Sequence, residues 1–585
     1  MKNKKCYLYA IVGVLGVGLI RGGVFFGLKH SNTKKNIENT SKKQIASQTV
    51  SAKDYEEIYS YIQEGEDSVS TYAREMTASE SDSQTNIRTQ GVGEGDCVQS
   101  DGKNLYIKSR DKIQIVNIKS NKMEHIATIT PTGDNYLTEI YLKDNRLICL
   151  YNSTKQVGDT WETGRSQMHT EAEVFDVSNP SEPKSLGKAT QSGSFFTMRE
   201  VDGYVYIFST FQAMYGSARD DISTYVPYVQ GEALESSRIV LPAGKTGNAY
   251  TVVSAFSLDN PKEKTDSIAF LGSSGGCYIS KENIYLYDTL YGEEENQVSQ
   301  TTIRKASYKD GILESIGNTT IAGTVFDSFC MDEYEGNLRV VTTLEQDNGI
   351  MPLNEVEASE GDTSEEPVEN PEISNTLYIL DNGLNEIAQI NEVANGEKIY
   401  AARFLEEIGY FVTYKAIDPL FSVDLSNPQE PKILGELKVL GFSEYLHSFG
   451  EGRLLGIGID TDETGTASDG VKISMFDTSN PKKVQELQKK VLEGAYSTDV
   501  SYNYKAAFVD VERSLVGFPV YEDYPMYYLY TYDEENGFTE ILKRELGSYT
   551  EARGVVAGDK FYIVTDATIE AYEQDTMKKV ADLVL

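Results

Sequence analysis

Three short stretches of the sequence carry side chains whose types and spacing could do chemistry. The first, DTDETG from residue 460, resembles the start of a calcium-binding loop, because carboxylates alternate and a glycine stands at the sixth position. Asp460, Asp462 and Thr464 would be its first ligands, and Asp469 could fold back to supply another. Position twelve is Val471, where such a loop needs a bidentate glutamate, so a solvated acidic loop is the alternative. Calcium is the one cofactor that the sequence suggests.

The second stretch contains Ser443, Tyr445 and His447, which we predict to contact a ligand. Regular alternation along a strand would place all three side chains on one face. A serine nucleophile activated by a histidine also needs an orienting acid, and the sequence identifies none. A hydrogen-bonded structural histidine is the alternative, and we assign no catalytic residue.

The third stretch holds Glu94 and Asp96, two carboxylates close enough in sequence to serve as a general acid and base. Their position on an inner strand, near the point where the domain must close, favours a structural role instead. We expect them to hold turn geometry.

The cysteines offer no further chemistry. Cys97, Cys149, Cys277 and Cys330 are scattered, without a CxxC pair or the spacing of metal ligands. We expect small buried apolar residues, with disulfides as the alternative in an oxidising compartment.

The elements that must position these residues are short strands. From Asp96 onward, runs rich in Val, Ile, Tyr and Phe alternate with tight polar turns, which predicts an all-β domain. A turn followed by an apolar strand recurs nine times, near Asp101, Asp144, Asp202, Glu282, Glu335, Ile408, Glu451, Glu512 and Gly558. The shortest intervals are 43 to 46 residues, close to the ~40–45 residues of a four-stranded propeller blade.

The repeat therefore predicts a β-propeller of eight or nine four-stranded blades. Eight remains open because ring closure commonly mixes strands from both ends of a propeller. A second marker, an Asn-Pro turn after an apolar strand, forces the chain to reverse into an outer strand, because proline cannot donate to the ladder. It occurs at Asn179-Pro180, Asn260-Pro261, Asn427-Pro428 and Asn480-Pro481.

The longest connections should share one face of the propeller. With strands A to D numbered from the axis outward, the short turns join A to B and the Asn-Pro turns join C to D. The opposite face, which we call the loop face, carries the B-to-C and D-to-A connections. We predict B-to-C insertions at residues 152–170, 212–248, 291–300, 344–374 and 460–470. Loops on a rigid scaffold concentrate binding residues, so the loop face is the expected functional surface.

The amino-terminal residues predict attachment to a membrane. Lysines precede an apolar run over residues 6–28 that Arg21 interrupts, and we assign residues 1–30 as a membrane anchor or signal segment. Residues 31–84 form a polar tether with a short helix over 51–63, which Ser51 would cap. One apolar helix face, made of Tyr55, Ile58, Tyr59 and Ile62, should dock on the propeller or a partner. The propeller itself is assigned to residues 85–585.

The charge balance excludes one class of partner. Lys and Arg number 54 against 90 Asp and Glu, a formal net charge of −36. Such a chain repels phosphate backbones and anionic lipid surfaces, so we expect no nucleic acid and no membrane contact beyond the amino-terminal segment.

Several spaced motifs resemble one known family. They are Thr85-Asn86, Gly91-Val92, Glu94, Asp96 and Asp101-Gly102, then Val412-Thr413-Tyr414, Asp418-Pro419-Leu420, the run Asp424 to Pro428, Gly435-Glu436-Leu437, Gly441-Phe442-Ser443 and Tyr445-Leu446-His447. The family comprises bacterial and archaeal secreted proteins with a carboxy-terminal β-propeller distantly related to WD repeats, and the resemblance covers residues 85–585. Gly93 and Gly95 stand where that family commonly has an acidic residue and alanine.

The resemblance implies a single-pass protein of the cell membrane with an extracellular propeller, and it supplies no activity. We expect a binding module for a protein, peptide or cell-wall glycan that acts through the loop face. A secreted hydrolase or lyase with acidic residues at the channel is the alternative, because propellers host both kinds of function. A structural spacer in an envelope assembly is the second alternative.

Overall fold

In this computed structural model the described ranges are 46–66, 88–119, 122–133, 135–157, 165–214, 216–242, 247–272, 275–290, 299–345, 373–414, 418–462, 468–547 and 551–585. None of the helices in these ranges has the length and apolar character that a membrane span requires. The predicted membrane segment, residues 1–30, lies outside the described residues.

The described residues form nine blades, each with four antiparallel strands in the order A, B, C, D. Blades 1 to 3 comprise Val98–Ser100, Asn104–Ser109, Lys112–Asn117 and Glu124–Ile129; Tyr136–Lys143, Arg146–Val157, Arg165–Asp176 and Lys184–Ser192; and Ser194–Val201, Tyr204–Gln212, Ala249–Ser257 and Asn260–Leu271. Blades 4 to 6 comprise Gly276–Ile279, Asn283–Leu290, Gln300–Lys309 and Ile312–Ala322; Met331–Tyr334, Asn337–Glu345, Ile373–Leu380 and Glu386–Val393; and Lys398–Leu405, Ile408–Tyr414, Asp418–Asp424 and Lys432–Val439.

Blade 8 departs from the pattern, because two short strands separated by 3-10 turns share its A position. Blades 7 to 9 comprise Phe442–Ser448, Arg453–Thr461, Ser468–Asp477 and Gln485–Glu493; Ser497–Thr498 with Phe508–Asp510, Leu515–Tyr521, Pro525–Asp533 and Gly537–Glu545; and Arg553–Ala557, Lys560–Val564, Thr568–Glu573 and Lys579–Val584. The 3-10 helices are Ile222–Thr224, Ser236–Arg238, Ser328–Cys330, Pro481–Lys483, Asp499–Ser501 and Tyr504–Ala506.

The ring closes by lateral packing between blades 1 and 9. Leu105 and Ile107 of blade 1 share an apolar cluster with Tyr562 and Ile569 of blade 9. Each blade takes its four strands from one contiguous stretch of chain, so no strand is exchanged at the closure. The all-β propeller is confirmed with nine blades, and the eight-blade alternative is wrong.

The turn chemistry follows the sequence markers. All nine predicted turns lie near the junction of strands A and B; three Asn-Pro turns lie between strands C and D, and Asn260-Pro261 opens strand D of blade 3. Before three of these Asn-Pro turns an aspartate accepts a hydrogen bond from the backbone N–H two residues on, as Asp176 does from Ser178 at 2.9 Å. Hydrogen bonds from the side chain and the backbone of Ser178, Ser426 and Ser479 lower the pKa of Asp176, Asp424 and Asp477 respectively. The turns therefore keep the same geometry in successive blades.

All five predicted insertions lie between strands B and C, as expected. At residues 152–170 the predicted bounds are a correction, because residues 152–157 and 165–170 belong to the strands themselves. There strands B and C of blade 2 continue as a long hairpin that pairs Asn152 with Thr170 and Val157 with Arg165. Polar side chains suggested a loop, but antiparallel pairing satisfies the backbone of a solvent-facing strand whatever its side chains.

The four described cysteines are buried. Cys97, Cys149, Cys277 and Cys330 each lie in an apolar cluster. Burial raises the pKa of the Cys97, Cys149 and Cys330 thiols. The expectation of small buried apolar residues is confirmed.

The chain before the propeller wraps its outer wall. Val50–Ser51 adds a strand to Ile239–Leu241 at the outer edge of blade 3. Helix α1 then runs over Tyr55–Glu66, and Asp54 rather than Ser51 caps it, accepting from the Glu57 N–H at 2.9 Å. Helix α1 thus begins later than the predicted residue 51, because Ser51 is held in the added strand.

The predicted apolar face of helix α1 docks on the blade 3 insertion. Ile58 and Ile62 are fully buried among residues of that insertion, including Tyr225 and Val226. The Tyr55 hydroxyl donates to the Leu234 carbonyl at 3.1 Å. This helix face therefore belongs to the propeller core and is not left for a partner.

We expect Ile58→Ala to release helix α1 from the insertion without unfolding the ring. The lost burial and the cavity should cost about 2–5 kcal/mol locally. Limited proteolysis should then cut the chain near residues 55–66 at least tenfold faster, with unchanged global melting. Ser60→Ala on the exposed side of the same helix is the control, and equal cleavage of both variants would contradict the docking.

Candidate functional site

A segment of the chain itself crosses the central channel. We call residues 88–96 the plug segment. The Thr89 hydroxyl donates to the Ile279 carbonyl of blade 4 at 3.2 Å. Gly93 then pairs with Glu200 of blade 3, and Asp96 pairs with Ile140 of blade 2. The plug segment therefore passes along the inner strands of successive blades before it enters blade 1.

The two carboxylates of the plug segment make buried ion pairs. Glu94 lies 3.2 Å from Arg199 of blade 3 and accepts the Tyr504 hydroxyl of blade 8 at 2.6 Å. Asp96 lies 3.1 Å from both Nε and Nη2 of Arg553 in blade 9. Both acids have a structural role, as expected. The sequence did not indicate its form, which is to link distant blades across the channel.

The glycines of the plug segment allow its close approach to the wall. A Cβ at position 93 would lie 2.1 Å from the Tyr141 hydroxyl oxygen, and one at position 95 would lie 2.5 Å from Glu139 Oε2. The Tyr141 hydroxyl in turn donates to Glu200 at 3.0 Å. The departure from the family pattern at Gly93 and Gly95 therefore matches the space that this channel provides.

Glu139 of blade 2 is a third buried acid beside the plug segment. Its Oε1 lies 3.8 Å from Nζ of Lys505, whose ammonium also donates to the Gly95 carbonyl. Burial raises the pKa of Glu139, while Lys505 opposes that change. Glu94, Asp96 and Glu139 thus each lie within 3.8 Å of a buried cation, Arg199, Arg553 and Lys505 respectively.

Phe329 lies in the channel on the side of blades 5 to 8. It belongs to the 3-10 helix Ser328–Cys330, which precedes the short strand A of blade 5. Its ring contacts Tyr504 and Tyr445 edge-on at centroid distances of 5.1 and 5.9 Å. The guanidinium carbons of Arg88 and Arg403 lie 4.7 and 5.5 Å from the same ring. Phe329 thus contacts residues of the plug segment and of blades 6, 7 and 8.

The structure brings together only two of the three predicted ligand residues. A register shift at Glu444 pairs Ser443 with Gly458 and Tyr445 with Ile457. Consecutive partner positions lie on opposite faces of a sheet. The predicted common face is therefore wrong for Ser443, because one bulged residue reverses the alternation.

Tyr445 and His447 remain together beside the channel. The Tyr445 hydroxyl lies 2.8 Å from His447 Nδ1. Burial, with the charge of Arg403 nearby, lowers the pKa of His447 from 6.5 to about 3. His447 is therefore neutral at physiological pH, and its contact with a ligand stays a prediction.

The predicted calcium loop has one ligand engaged elsewhere. Asp460 is buried and accepts from Nζ of Lys489 at 2.9 Å. Thr464 lies outside the described residues, and Asp469 is placed by its backbone alone, in strand C of blade 7. Within the described part of the chain, Asp462 and its neighbours form no group of three or more metal-ligating side chains. The calcium site stays a prediction.

Exposed aromatic side chains mark the loop face. Four of the five described aromatic residues with exposed fractions of 56% or more lie in, or next to, B-to-C or D-to-A connections, and the fifth, Tyr502, lies in the interruption of strand A of blade 8. They are Tyr136, Phe326, Tyr496, Tyr502 and Tyr524. Sequence reasoning missed them, because 39 tyrosines make a surface tyrosine indistinguishable from a core one.

Two groups of these aromatics are held in place by contacts. Phe326 lies 6.0 Å from Tyr400, which together with Tyr414 packs on Phe442, so that one cluster joins blades 5, 6 and 7. In blade 8, Asp499 accepts the hydroxyls of Tyr502 and Tyr521. Burial and the bond to Asp499 raise the pKa of Tyr502 to about 12. We call both groups together the loop-face aromatics.

The fold and the channel define a nine-bladed β-propeller with a self-filled channel. The chain belongs to the Beta propeller domain family, whose model matches residues 82–577.

An uncharacterized protein of Archaeoglobus fulgidus is similar, with 25% identity over 598 residues that cover 87% of this chain and 86% of that protein. An uncharacterized protein of Methanocaldococcus jannaschii is 25% identical over 574 residues, 85% of this chain and 82% of that protein. A solved structure of a protein from Lactobacillus plantarum aligns with a TM-score of 0.30 and 12% identity over 52% of this chain and 82% of that one.

We expect Arg553→Met to destabilise the propeller by about 3–5 kcal/mol, because it leaves Asp96 buried without its cation. Adding Asp96→Asn should restore part of the loss, since the isolated charge is then removed. Urea unfolding of the two variants measures both effects. Arg544→Met, which breaks a more exposed pair with Glu570, is the control and should cost less than about 1 kcal/mol.

The lowered pKa of His447 predicts a contribution to acid lability. Between pH 6.5 and about 3, the unfolded chain binds a proton that the folded chain does not, so stability falls as the pH falls through this window. In His447→Gln, the fall in melting temperature over that window should be smaller than in the wild type. His125→Gln, at an exposed histidine, is the control, and superimposable profiles for His447→Gln and wild type would contradict the expectation.

Proposed function

We propose that the chain is a membrane-tethered extracytoplasmic β-propeller that acts as a binding module through its loop face. Its ligand is a protein, a peptide or a component of the cell envelope. The observation that carries the proposal is the placement of the described exposed aromatic residues: Tyr136, Phe326, Tyr496 and Tyr524 lie at loop-face connections, and Tyr502 shares Asp499 with Tyr521, the last residue of strand B. A face that collects exposed aromatic rings is typical of an interaction surface.

The loop-face aromatics have the properties of a recognition surface. Tyrosine offers a large apolar area and a hydroxyl with few rotatable bonds, so little entropy is lost on binding. Here several rings are already immobilised, because Tyr502 and Tyr521 share Asp499 and Tyr414 packs on Phe442. Such preorganisation favours affinity.

The state of the channel acids gives the hydrolase or lyase alternative less support. Acid–base chemistry on a substrate requires carboxylates that a substrate can reach. Glu94 and Asp96 are at most 5% exposed and form ion pairs with Arg199 and Arg553. We therefore place recognition on the loop face instead of within this half of the channel.

The described part of the tether lies along the outer wall of the propeller, and helix α1 contacts the loop face at the blade 3 insertion. The Ala46 N–H donates to the Asn385 side chain of blade 5, and Ser47 pairs with Asn318 in the outer strand of blade 4. The described chain thus reaches the propeller at its outer wall. Anchoring by residues 6–28 and an extracellular position are part of the proposal, and they rest on the apolar segment and on the family resemblance.

Replacing Phe326 and Tyr502 with serine should reduce co-sedimentation of the full-length chain with cell-envelope preparations by at least fivefold. The ring and its channel should keep their melting temperature, because both side chains are exposed. Mass spectrometry of captured proteins and glycan analysis of the pellet, with and without calcium, identify the partner class.

Val511→Ser is the matched control, since Val511 is an exposed apolar residue in an A-to-B turn on the opposite face. Equal capture by wild type and by both variants would overturn the loop-face proposal. It would favour the spacer, or an enzyme acting elsewhere on the chain.

A further inference from the structure

We propose that the channel holds a second site, centred on Arg403, that binds an oxyanion group such as a carboxylate or a phosphate. Arg403 is on strand A of blade 6, Lys398–Leu405. The site is separate from the loop-face aromatics and does not depend on their role.

The first observation is the lack of a counter-ion. Among the described residues, no carboxylate lies within ion-pairing distance of Arg403, and its close contact is the Phe329 ring at 5.5 Å. Its side chain is enclosed by protein yet keeps some solvent access. Because an enclosed cation without a partner is costly, buried guanidinium groups are almost always paired. The free face of Arg403 is therefore a position where an anion would stabilise the folded protein.

The second observation is the charge of the surroundings. Arg88 stacks on the same Phe329 ring at 4.7 Å and donates to the Met331 carbonyl at 2.7 Å. Asp332, the carboxylate that acts on Arg403, is bonded to Arg339. Two guanidinium groups thus lie on one ring, in a chain whose net charge is −36. Proximity of Arg88 and burial both lower the pKa of Arg403, which is consistent with an excess of positive potential.

The third observation is a neighbouring neutral donor. His447 lies close enough for its pKa to respond to Arg403, and its Nδ1 contacts the Tyr445 hydroxyl at 2.8 Å. When that hydroxyl donates to Nδ1, the neutral imidazole carries its proton on Nε2 and can donate it to an anion. A guanidinium fork with an adjacent N–H donor suits the planar oxygens of a carboxylate or the oxygens of a phosphate.

The position of the site indicates how a ligand would enter. Strands A run from the loop face toward the A-to-B turns, and Arg403 and His447 are both within three residues of the turn end of their strands. The plug segment follows the wall formed by blades 2 to 5, where Arg88 donates to Met331. An anion would therefore approach from the A-to-B face, between blades 6 and 7. A small free anion and the carboxyl terminus of a peptide present the same group there.

Isothermal titration of the full-length chain tests the site at constant ionic strength. The probes are inorganic phosphate, acetate, and one tripeptide with either a free or an amidated carboxyl terminus. We expect saturable binding of at least one oxyanion probe by the wild type. Tighter binding of the free tripeptide than of acetate, with loss on amidation, would identify a peptide terminus as the source, whereas preference for phosphate would identify a phosphorylated ligand or the free ion.

Arg403→Gln should weaken that binding at least tenfold, and Arg403→Lys should retain part of it, because the charge stays while the fork is lost. Arg544→Gln, at a peripheral arginine already paired with Glu570, should bind like the wild type. In buffer without oxyanions Arg403→Gln should melt at or above the wild-type temperature, since an unpaired cation has been removed.

Absence of saturable binding by the wild type to every probe would overturn the proposal. Binding that Arg403→Gln and Arg403→Lys leave unchanged would overturn it as well. Neither result bears on the loop-face proposal, whose variants alter Phe326 and Tyr502 and leave Arg403 intact.

Discussion

The buried ion pair between Asp96 and Arg553 is the interaction on which the ring most depends. A nine-bladed ring must bring its first and last blades together, and here no strand is shared between them. Apolar packing between blades 1 and 9 supplies most of the attraction, but it is not directional. The ion pair fixes how the two blades are oriented, because a carboxylate and a guanidinium removed from water are tolerated only when they meet in good geometry. Asp96 is also paired through its backbone to Ile140, so the same residue positions the plug segment and closes the ring.

Filling the channel has a consequence for function. The plug segment, Phe329 and Tyr504 occupy the space that many propellers leave for a ligand, and they convert the acids of this region into structural groups. The surfaces that remain for recognition are the loop face, where aromatic rings are exposed, and the small region around Arg403, where a cation lacks a partner. The two differ in chemistry: the first suits an extended apolar or amphipathic surface and the second a single negatively charged group.

Comparison of particular elements shows how far the sequence could predict the structure. Turn residues act locally, so the nine A-to-B turns and the Asp176-type hydrogen bonds followed from the residues alone. The helix boundary did not, because Ser51 is held in a strand whose partner lies some 190 residues away in sequence. Ser443 was assigned to the wrong face because a bulge at Glu444 adds one residue to the strand, and one residue is enough to exchange the two faces of a sheet. Residues 152–170 were polar on average, yet residues 152–157 pair with residues 165–170 as antiparallel strands.

By itself the sequence determined the class of fold, the four-stranded repeat, the face that carries the long connections and the apolar side of helix α1, since each follows from periodicity or turn chemistry within a few residues. Only the tertiary structure decided that nine blades close without sharing a strand, that Glu94 and Asp96 pair with Arg199 and Arg553, and that Phe329, Arg88 and Arg403 meet in the channel. These contacts join residues from different blades, and many of them are hundreds of positions apart. Their energies depend on burial and distance, which no local pattern encodes, because a charged or aromatic residue has the same local signature whether it faces solvent or the axis of the ring.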